Sequence, residues 1–339
     1  SPRDARAWGP KRTRPFWTGF PMPFPSDLPA RLGAALAERG YDEPTAVQSA
    51  VLDPALRGRD LLVSAQTGSG KTVAFGVAMA RDLMGDNEAL PRAAAPLALV
   101  VAPTRELALQ VRTELDWLYG AAGARVVSCV GGTDPVAERR ALQNGAHIVV
   151  GTPGRLVDHI QRRNLDMGSL RAVVLDEADE MLDLGFREDL ESILGAAPAE
   201  RRTLLFSATV PRGIEALAKD FQRDALRVAA TASGERHGDI SYRAMLVGRG
   251  EGERALVNVL RLSDARGVLV FCNTRAAVNR VRGNLQERGF VSVALSGEMG
   301  QTERSRALTD LRDGRARICV ATDVAARGID LPDLGLVVH

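Results

Sequence analysis

The segment Ala65-Gln66-Thr67-Gly68-Ser69-Gly70-Lys71-Thr72 follows the apolar run Leu61–Ser64 and precedes the helical pattern Val73–Leu83. A glycine-rich loop that joins a strand to a helix and ends in Lys-Thr is typical of sites that bind the phosphates of a nucleoside triphosphate. The glycines let backbone N–H groups approach phosphate oxygens, and the start of a helix favours negative charge. We expect Lys71 to reach the outer phosphates and the Thr72 hydroxyl to bind Mg²⁺.

Short apolar runs alternate with helical patterns along most of the chain. In the first part, the runs predicted as strands are Leu61–Val63, Leu97–Val101, Arg125–Val130, His147–Val150, Ala172–Leu175 and Thr203–Phe206. Nearer to His339 they are Gly267–Cys272, Val291–Leu295, Arg317–Ala321 and Leu336–Val338. The alternation predicts an α/β fold with parallel sheets covered by helices on both faces. Such sheets bind ligands at the carboxyl ends of their strands.

The chain is predicted to divide into two similar α/β lobes. Residues 1–23 are basic and proline-rich and are predicted to form a flexible arm, and residues 24–230 form the ATP-binding lobe. The polar, glycine-containing stretch 231–240 is predicted to be a linker to a second lobe, 241–339. The chain starts at Ser1 and stops directly after a strand-like run, so we expect the second lobe to be incomplete at its C-terminus.

Composition favours a globular protein of a reducing compartment. The 339 residues suit about two domains, and 45% hydrophobic and 25% charged residues are ordinary values. Three cysteines without close spacing argue against a disulfide framework, and four scattered histidines show no metal-ligand spacing. Since no apolar run is long enough to span a membrane and no signal peptide is evident, we expect a cytoplasmic protein. The net charge of +2 permits a partner with a phosphate backbone.

The acidic stretch Asp176-Glu177-Ala178-Asp179 ends the predicted strand Ala172–Leu175. A carboxylate at the end of a strand in the same sheet as the phosphate loop can hold Mg²⁺ through water. A carboxylate beside it can accept a proton from an attacking water. We therefore assign Asp176 to the metal and Glu177 to the general base.

From Phe24 onward the chain resembles the DEAD-box ATP-dependent RNA helicases of superfamily 2, of the bacterial type. Gly40–Gln48 resembles the adenine-recognising Q motif, and Ala65–Thr72 resembles motif I, apart from Ala65, where the generic loop has Gly. The other matching motifs follow in the family's order: Pro103-Thr104-Arg105-Glu106-Leu107, Gly131-Gly132, Thr152-Pro153-Gly154-Arg155, Asp176–Asp179, Ser207-Ala208-Thr209, Val270-Phe271-Cys272-Asn273-Thr274, Gln301–Arg304 and Ala321–Asp330.

The resemblance implies two tandem RecA-like lobes that use ATP and Mg²⁺. Gln48 is expected to pair with the adenine edge through its amide, and Tyr41 and Phe24 can offer aromatic faces to the base. The resemblance adds Gly328 and Asp330 to the nucleotide site. It also places Ser207 and Thr209 with Lys71 in the catalytic machinery, where they are expected to couple the nucleotide to the RNA side.

The resemblance also implies binding of RNA, as a single strand or short duplex, between the two lobes. Contacts with the sugar–phosphate backbone carry little sequence information, and the 2′-OH lets a site prefer RNA over DNA. The residues expected to make them are Pro103, Thr104, Arg105, Gly131, Gly132, Thr152, Arg155, Thr274, Arg304 and Thr322.

The expected activity is local unwinding of short RNA duplexes coupled to ATP hydrolysis. The family continues beyond the position of His339 into a motif whose arginines reach the γ-phosphate, and it often has His where this chain has Ser296. If the 339 residues were the whole molecule, we would expect binding of ATP and Mg²⁺ with little RNA-stimulated hydrolysis. The alternatives are an ATP-gated RNA clamp that seldom unwinds and a DNA translocase of the same superfamily.

Overall fold

The computed structural model describes Phe24 and residues 28–339, except 231–239, 298, 327–328, 330 and 332. The predicted arm 1–23, most of the predicted linker 231–240, and the candidate nucleotide residues Gly328 and Asp330 lie outside the described residues. The chain divides into two compact units, residues 1–235 and residues 236–339.

The first unit is a seven-stranded parallel sheet covered by helices. Its described strands are β1 Leu61–Ser64, β2 Ala98–Val101, β3 Val126–Cys129, β4 Ile148–Gly151, β5 Ala172–Leu175, β6 Arg202–Ser207 and β7 Leu226–Ala229. Its described α-helices are α1 Ala30–Glu38, α2 Ala46–Val51, α3 Lys71–Ala78, α4 Ala80–Met84, α5 Arg105–Gly120, α6 Pro135–Gln143, α7 Pro153–Gln161, α8 Ala178–Asp183, α9 Arg187–Ala196 and α10 Arg212–Phe221.

The strand order β3-β4-β2-β5-β6-β1-β7 sorts the motifs along one edge of the sheet. The loops that follow β1 and β5 carry the phosphate loop and the acidic motif, Ser207–Thr209 begins at the last residue of β6, and these three strands are neighbours. The loops that follow β2, β4 and β3 carry the three predicted RNA motifs, and these strands are neighbours as well. One half of the carboxyl edge therefore holds the candidate nucleotide residues and the other half holds the candidate RNA residues.

Alternation along the strands builds one apolar core on each face of the sheet. Leu61 and Val63 point into a core formed with α1 to α5, whereas Leu62 points into a core formed with α6 to α10. Tyr119 is fully buried in the first core, and its hydroxyl donates a 2.6 Å hydrogen bond to the Gly76 carbonyl. Strands that are buried on both faces read as continuous apolar runs, which is why their positions were predictable.

Two local predictions for this unit were wrong. The helical pattern Val73–Leu83 is two helices, because α3 ends at Ala78 and α4 begins at Ala80. The strand β7 was missed, since its residues alternate between half-buried and exposed at the edge of the sheet. An edge strand of four residues lacks the continuous apolar run that identified the others.

The second unit is a four-stranded parallel sheet with the order β11-β8-β10-β9. Its described elements are α11 Gly252–Leu262, β8 Gly267–Phe271, α12 Arg275–Glu287, β9 Ser292–Leu295, α13 Gln301–Arg312, β10 Ile318–Ala321, α14 Asp323–Ala326 and β11 Leu334–Val338. Helices α11 and α12 pack on one face and α13 and α14 on the other. In the described part of both units, no helix combines the length and the apolar character that crossing a membrane requires.

Candidate functional site

The phosphate loop is held in a conformation that only glycine adopts easily. Gly68 and Gly70 have φ angles of +79° and +86°, in the left-handed region. A Cβ on Gly70 would lie 2.6 Å from Gln48 Nε2, so the loop and α2 approach closely at this point. The Ala65 N–H donates to the Ser207 carbonyl at 3.0 Å, and the Ala65 side chain is fully buried in the core. Packing therefore accounts for an alanine at the position where the generic loop has glycine.

Lys71 begins α3 and carries a buried ammonium group, with 6% of the side chain exposed. Its Nζ lies 3.9 Å from Asp176 Oδ1 and 3.7 Å from Glu177 Oε1. Both Lys71 Nζ and Asp176 Oδ1 are buried without a hydrogen-bond partner among the described residues. A buried ammonium with three unused donors fits phosphate oxygens, which would satisfy them. Thr72 follows Lys71 in the first turn of α3.

Asp176 is the first residue after β5 and is almost wholly buried. Burial raises the pKa of its carboxyl to about 6, with Lys71 acting to lower it and Glu177 acting to raise it further. A divalent cation would reverse this balance by favouring the ionised carboxylate. The unpartnered Oδ1 leaves a buried carboxylate oxygen that Mg²⁺, or a water bound to it, could contact.

Glu177 adopts a backbone conformation that is rare for its residue type. It has φ +52° and ψ +53°, although it is not glycine, and it precedes the first residue of α8. Strain of this kind costs about 1–3 kcal/mol and concentrates at functional sites. The Thr67 hydroxyl donates to Glu177 Oε1 at 3.3 Å, so the carboxylate faces the phosphate loop. Glu177 is therefore in a position from which it could take a proton from a water that attacks a bound phosphate.

Ser207 and Thr209 connect the end of β6 to the acidic motif. The Thr209 N–H and hydroxyl each donate to Asp179 Oδ2 at 2.8 Å, and Ser207 Oγ accepts from the Asp179 N–H at 3.2 Å. Burial acts to raise the pKa of the Asp179 carboxyl, but hydrogen bonds that this carboxylate accepts from Thr209, with further ones from Ser207 and the Glu180 backbone, outweigh it and hold the pKa below its usual value. Ser207 and Thr209 are thus hydrogen-bonded to the acidic motif, and their expected role in coupling the nucleotide to the RNA side stays a prediction.

The Q-motif residues contact the phosphate loop directly. Gln48 is wholly buried, and its Oε1 accepts from the Thr45 N–H at 2.9 Å while its Nε2 donates to the Gly70 carbonyl at 3.2 Å. The Thr45 hydroxyl also donates to the Ser69 carbonyl at 2.8 Å. An amide has two donor hydrogens and two acceptor lone pairs, so pairing of Gln48 with adenine stays a prediction.

The predicted aromatic residues of the nucleotide site lie on the apolar core. Tyr41 stacks on Trp117 with ring centroids 5.8 Å apart, and the Arg39 guanidinium lies 5.2 Å from the Trp117 ring centre. Phe24 is half-buried against the same core. Trp117 was not predicted, because it reads in the sequence as one more apolar position of α5.

The predicted RNA residues of the first unit lie at the ends of β2, β3 and β4. Pro103 and Thr104 follow β2, and the Thr104 hydroxyl caps α5 by accepting from the Leu107 N–H at 3.2 Å. Gly132 has φ +72°, and a Cβ there would overlap the Arg105 guanidinium, so this glycine makes room for Arg105. Thr152 precedes α7. The structure thus brings these three motifs to one edge.

A buried carboxylate that the sequence analysis missed joins two of these motifs. Arg155 donates to Glu138 Oε2 at 3.3 Å and to the Thr133 carbonyl at 3.4 Å. Glu138 lies on α6, and 6% of its side chain is exposed. In the sequence it is one charged residue of a polar helix, and no local signal separates it from a solvated glutamate.

The predicted RNA residues of the second unit cap its helices. The Thr274 hydroxyl accepts from the Ala277 N–H at 3.1 Å at the start of α12. Arg304 donates to the Ala325 carbonyl at 2.9 Å, and the Thr322 hydroxyl accepts from the Ala325 N–H at 3.4 Å. Arg304 and Thr322, from separate motifs, therefore meet at the short helix α14.

The fold and the site define an α/β protein with a nucleotide phosphate loop. The family model described as DEAD/DEAH box helicase matches residues 45–217, and the model of the helicase conserved C-terminal domain matches residues 252–339. The chain belongs to the DEAD/DEAH box helicase family.

Curated relatives match nearly the whole chain. The chain is 42% identical over 313 residues to the ATP-dependent RNA helicase DeaD of Escherichia coli, covering 92% of this chain and 49% of that protein. It is 39% identical over 311 residues to the protein of the same name from Mycobacterium tuberculosis, covering 91% and 54%. The chain thus spans about half the length of the curated relatives it matches.

Solved structures show the same fold. Saccharomyces cerevisiae Dbp5 bound to RNA and ADP BeF3 matches with a TM-score of 0.75 and 25% identity, covering 91% of this chain and 77% of that chain. A DEAD box protein from Methanococcus jannaschii matches with a TM-score of 0.55 and 34% identity, covering 92% and 82%. The expected pair of RecA-like parallel sheets is therefore confirmed.

Proposed function

We propose that this chain is the helicase core of an ATP-dependent RNA helicase, which binds ATP with Mg²⁺ on the first unit and hydrolyses it to ADP and phosphate. The observation that carries the proposal is the buried Lys71 ammonium, which lies between the phosphate loop and two carboxylates without a hydrogen-bond partner among the described residues. The curated relatives named ATP-dependent RNA helicase support it.

The nucleotide chemistry is divided among four side chains. Lys71 donates to the outer phosphates of ATP, while Asp176 and Thr72 hold Mg²⁺. The ion neutralises charge on the phosphates when it is bound. Glu177 accepts a proton from the water that attacks the γ-phosphate, as its direction toward Thr67 and Lys71 allows.

The second part of the proposal is that Arg105, Arg155 and the Gly131-Gly132 backbone bind phosphates of one RNA strand. They lie at the carboxyl ends of β2, β4 and β3, beside the nucleotide half of the sheet. In the second unit, Thr274, Arg304 and Thr322 are the candidates for further backbone contacts. Asp179, through Ser207 and Thr209, connects the acidic motif to β6 and is the proposed link between nucleotide state and RNA binding.

The substitution Glu177→Gln tests the hydrolytic role. It keeps the shape of the side chain and removes the base, so we expect ATP affinity to stay within about threefold while RNA-stimulated turnover falls by about 10²–10⁴-fold, the usual contribution of a general base. Binding of a fluorescent ATP analogue and steady-state phosphate release measure the two effects. The exposed Glu200→Gln is the matched control.

Turnover that is unchanged in Glu177→Gln would contradict the assignment. Stimulation by RNA and by DNA of equal sequence, compared side by side, distinguishes an RNA helicase from a DNA translocase. A strand-displacement assay beside a binding assay distinguishes unwinding from an ATP-gated RNA clamp.

A further inference from the structure

A buried carboxylate lies between two of the proposed RNA motifs. Glu138 Oε1 accepts from the Val130 N–H at 2.9 Å and from the Thr133 hydroxyl. Its Oε2 contacts His159 Nε2 at 2.7 Å and Arg155 Nη1 at 3.3 Å. We call Glu138 and these four partners the Glu138 cluster.

The cluster fixes both ends of the Gly131-Gly132 turn. Val130 and Thr133 flank the two glycines, and both donate to the same oxygen of Glu138. The Thr133 hydroxyl also lies 2.6 Å from the Val130 carbonyl. A turn whose two ends share one buried carboxylate has little freedom to move its backbone N–H groups.

The same carboxylate fixes Arg155. The Arg155 side chain is 15% exposed. Its Nη1 donates to Glu138 Oε2 and its Nη2 donates to the Thr133 carbonyl, so each nitrogen uses one hydrogen. A guanidinium has five N–H donors in a rigid fork, so donors remain for a phosphate. Since less conformational freedom is lost on binding, a preset guanidinium binds a phosphate more tightly than a mobile one.

We propose that Glu138 is a positioning residue for RNA: it presets the Gly131-Gly132 turn and the Arg155 guanidinium so that both meet the sugar–phosphate backbone. This inference rests on the proposed function, because it takes Arg155 as an RNA contact. Burial acts to raise the pKa of Glu138, but the hydrogen bonds from His159, Thr133 and Val130, together with Arg155, hold it below its usual value, so the carboxylate is ionised.

The alternative use of these side chains is a metal site. Cys129 Sγ, a Glu138 oxygen and a His159 nitrogen lie within 4.8 Å of one another, and all three residues are buried. Both Glu138 oxygens already accept hydrogen bonds, and a guanidinium lies beside them. Burial, with a further contribution from Glu138, raises the pKa of the Cys129 thiol to about 12, whereas a metal ligand must be a thiolate. The arrangement therefore favours the hydrogen-bonded network over a cation.

The substitution Glu138→Gln tests the proposal. The carbonyl oxygen of a glutamine can replace only one of the two carboxylate oxygens, and its NH₂ group then faces the N–H or O–H donors that contacted the other oxygen. Either the Gly131-Gly132 turn or Arg155 therefore loses its hydrogen-bond acceptor. The probe is a short unstructured oligoribonucleotide with a fluorescein label, measured by anisotropy with Mg²⁺ and a non-hydrolysable ATP analogue. We expect RNA affinity to fall about tenfold, the size of one charge-assisted contact, and affinity for the ATP analogue to stay within about twofold.

Salt dependence separates a positioning role from a purely structural one. Loss of one phosphate contact lowers the slope of log affinity against log salt by about one. We expect Glu138→Gln to show this lower slope, and we expect little further loss when it is combined with Arg155→Ala, because both changes remove the same contact. An equal loss of affinity in the Arg155→Ala background would overturn the proposal, and so would an unchanged slope.

The matched control is Asp82→Asn, which removes another carboxylate paired with an arginine. Asp82 Oδ2 lies 3.0 Å from Arg202 Nη1, at the amino end of β6 and therefore at the opposite edge of the sheet. We expect it to lower the melting temperature without changing RNA affinity or salt slope. Thr133→Val, which removes one donor only, is the milder variant if Glu138→Gln does not fold, with an expected loss of about threefold for one neutral hydrogen bond.

Two further results distinguish failure of the proposed function from failure of the inference about Glu138. If the unsubstituted chain binds no RNA, the proposed function itself fails. If it binds RNA and Glu138→Gln binds with equal affinity and slope, only the inference about Glu138 fails. Stoichiometric zinc in the purified chain would also overturn the inference and assign the cluster to a metal.

Discussion

The two halves of the carboxyl edge of the first sheet differ in whether their buried charged groups have hydrogen-bond partners. In the nucleotide half, Lys71 Nζ and Asp176 Oδ1 are buried without a hydrogen bond among the described residues. In the RNA half, Glu138 is buried as deeply, yet four donors from two segments, the turn after β3 and helix α7, contact its carboxylate. An unsatisfied buried charge is costly, whereas a fully hydrogen-bonded one rigidifies its surroundings.

The two halves are therefore suited to their proposed ligands in different ways. The nucleotide half keeps groups whose missing partners a phosphate and a cation would supply, so we expect ligand binding to relieve an existing cost there. The RNA half has no such deficit at Glu138, and the preparation that we propose for it is geometric. Substitutions in the nucleotide half should therefore strongly change nucleotide affinity and the pH dependence of stability. Substitutions in the RNA half should change RNA affinity by altering the positions of the residues that contact RNA.

The largest expected effect is on nucleotide affinity in Lys71→Ala. Hydrogen bonds to charged groups contribute about 1.5–3 kcal/mol each, and Lys71 is expected to make two with the outer phosphates. Affinity for an ATP analogue should fall by about 100-fold or more, at roughly 1.4 kcal/mol per factor of ten. Isothermal titration with Mg²⁺ present measures it. The exposed Lys219→Ala is the control, and a fall of less than about threefold in Lys71→Ala would show that the buried ammonium does not bind phosphate.

The next effect is a pH dependence that belongs to Asp176. Its pKa of about 6 in the folded protein exceeds the ordinary value of 3.8, so the folded state holds this proton more tightly. Stability from this group is therefore fully present below about pH 4 and is lost as pH rises through 6. The loss is of the order of 2–3 kcal/mol, at 1.36 kcal/mol per pKa unit.

Denaturant unfolding without Mg²⁺ between pH 4 and pH 7 measures this loss. The isosteric Asp176→Asn is the control, because it keeps the other titrating groups and removes this one. We expect the difference in unfolding free energy between the two proteins to change across that window. Parallel profiles would mean that Asp176 does not titrate there. With Mg²⁺ and nucleotide present, affinity should weaken below about pH 6, where the proton competes with the ion.

Much of this site could be predicted from the sequence, because the motifs lie at strand ends. Continuous apolar runs located every described strand except β7, and parallel pairing brought the residues that follow β1, β5 and β6 to one edge. The contact of Ser207 and Thr209 with Asp179 was predictable for the same reason.

What could not be predicted depends on contacts between elements distant in sequence. The contacts of Glu138 with Arg155 and His159 come from α7, which follows β4, whereas its own helix reads as a polar surface helix. The left-handed backbone of Glu177 and the insertion of the Gln48 amide beneath the phosphate loop are also tertiary effects. Side-chain period and composition carry no information about such contacts, since they describe only which face of an element is apolar.

The smallest expected effect compares two glycines of the phosphate loop. Gly68 and Gly70 both have positive φ, but a Cβ on Gly68 meets nothing within 4 Å, whereas one on Gly70 lies 2.6 Å from Gln48 Nε2. Gly68→Ala should lower the free energy of unfolding by about 1 kcal/mol, the cost of a left-handed alanine. Gly70→Ala should lower the free energy of unfolding by about 1 kcal/mol more, because the new methyl group displaces the Gln48 amide, which holds the loop to α2.

Denaturant unfolding of both variants measures this pair, and adding Gln48→Ala sharpens it. Truncating Gln48 removes the side chain that the new methyl group would strike, so the extra cost of Gly70→Ala should shrink in that background while that of Gly68→Ala should not. Equal costs for the two glycines in the unsubstituted chain would mean that the loop does not depend on its contact with Gln48. If the difference between the two glycines remains in the Gln48→Ala background, the loop backbone itself, and not its contact with Gln48, requires glycine at position 70. The nucleotide half would then be preorganised by its backbone, whereas we propose that the RNA half is preorganised by its side chains.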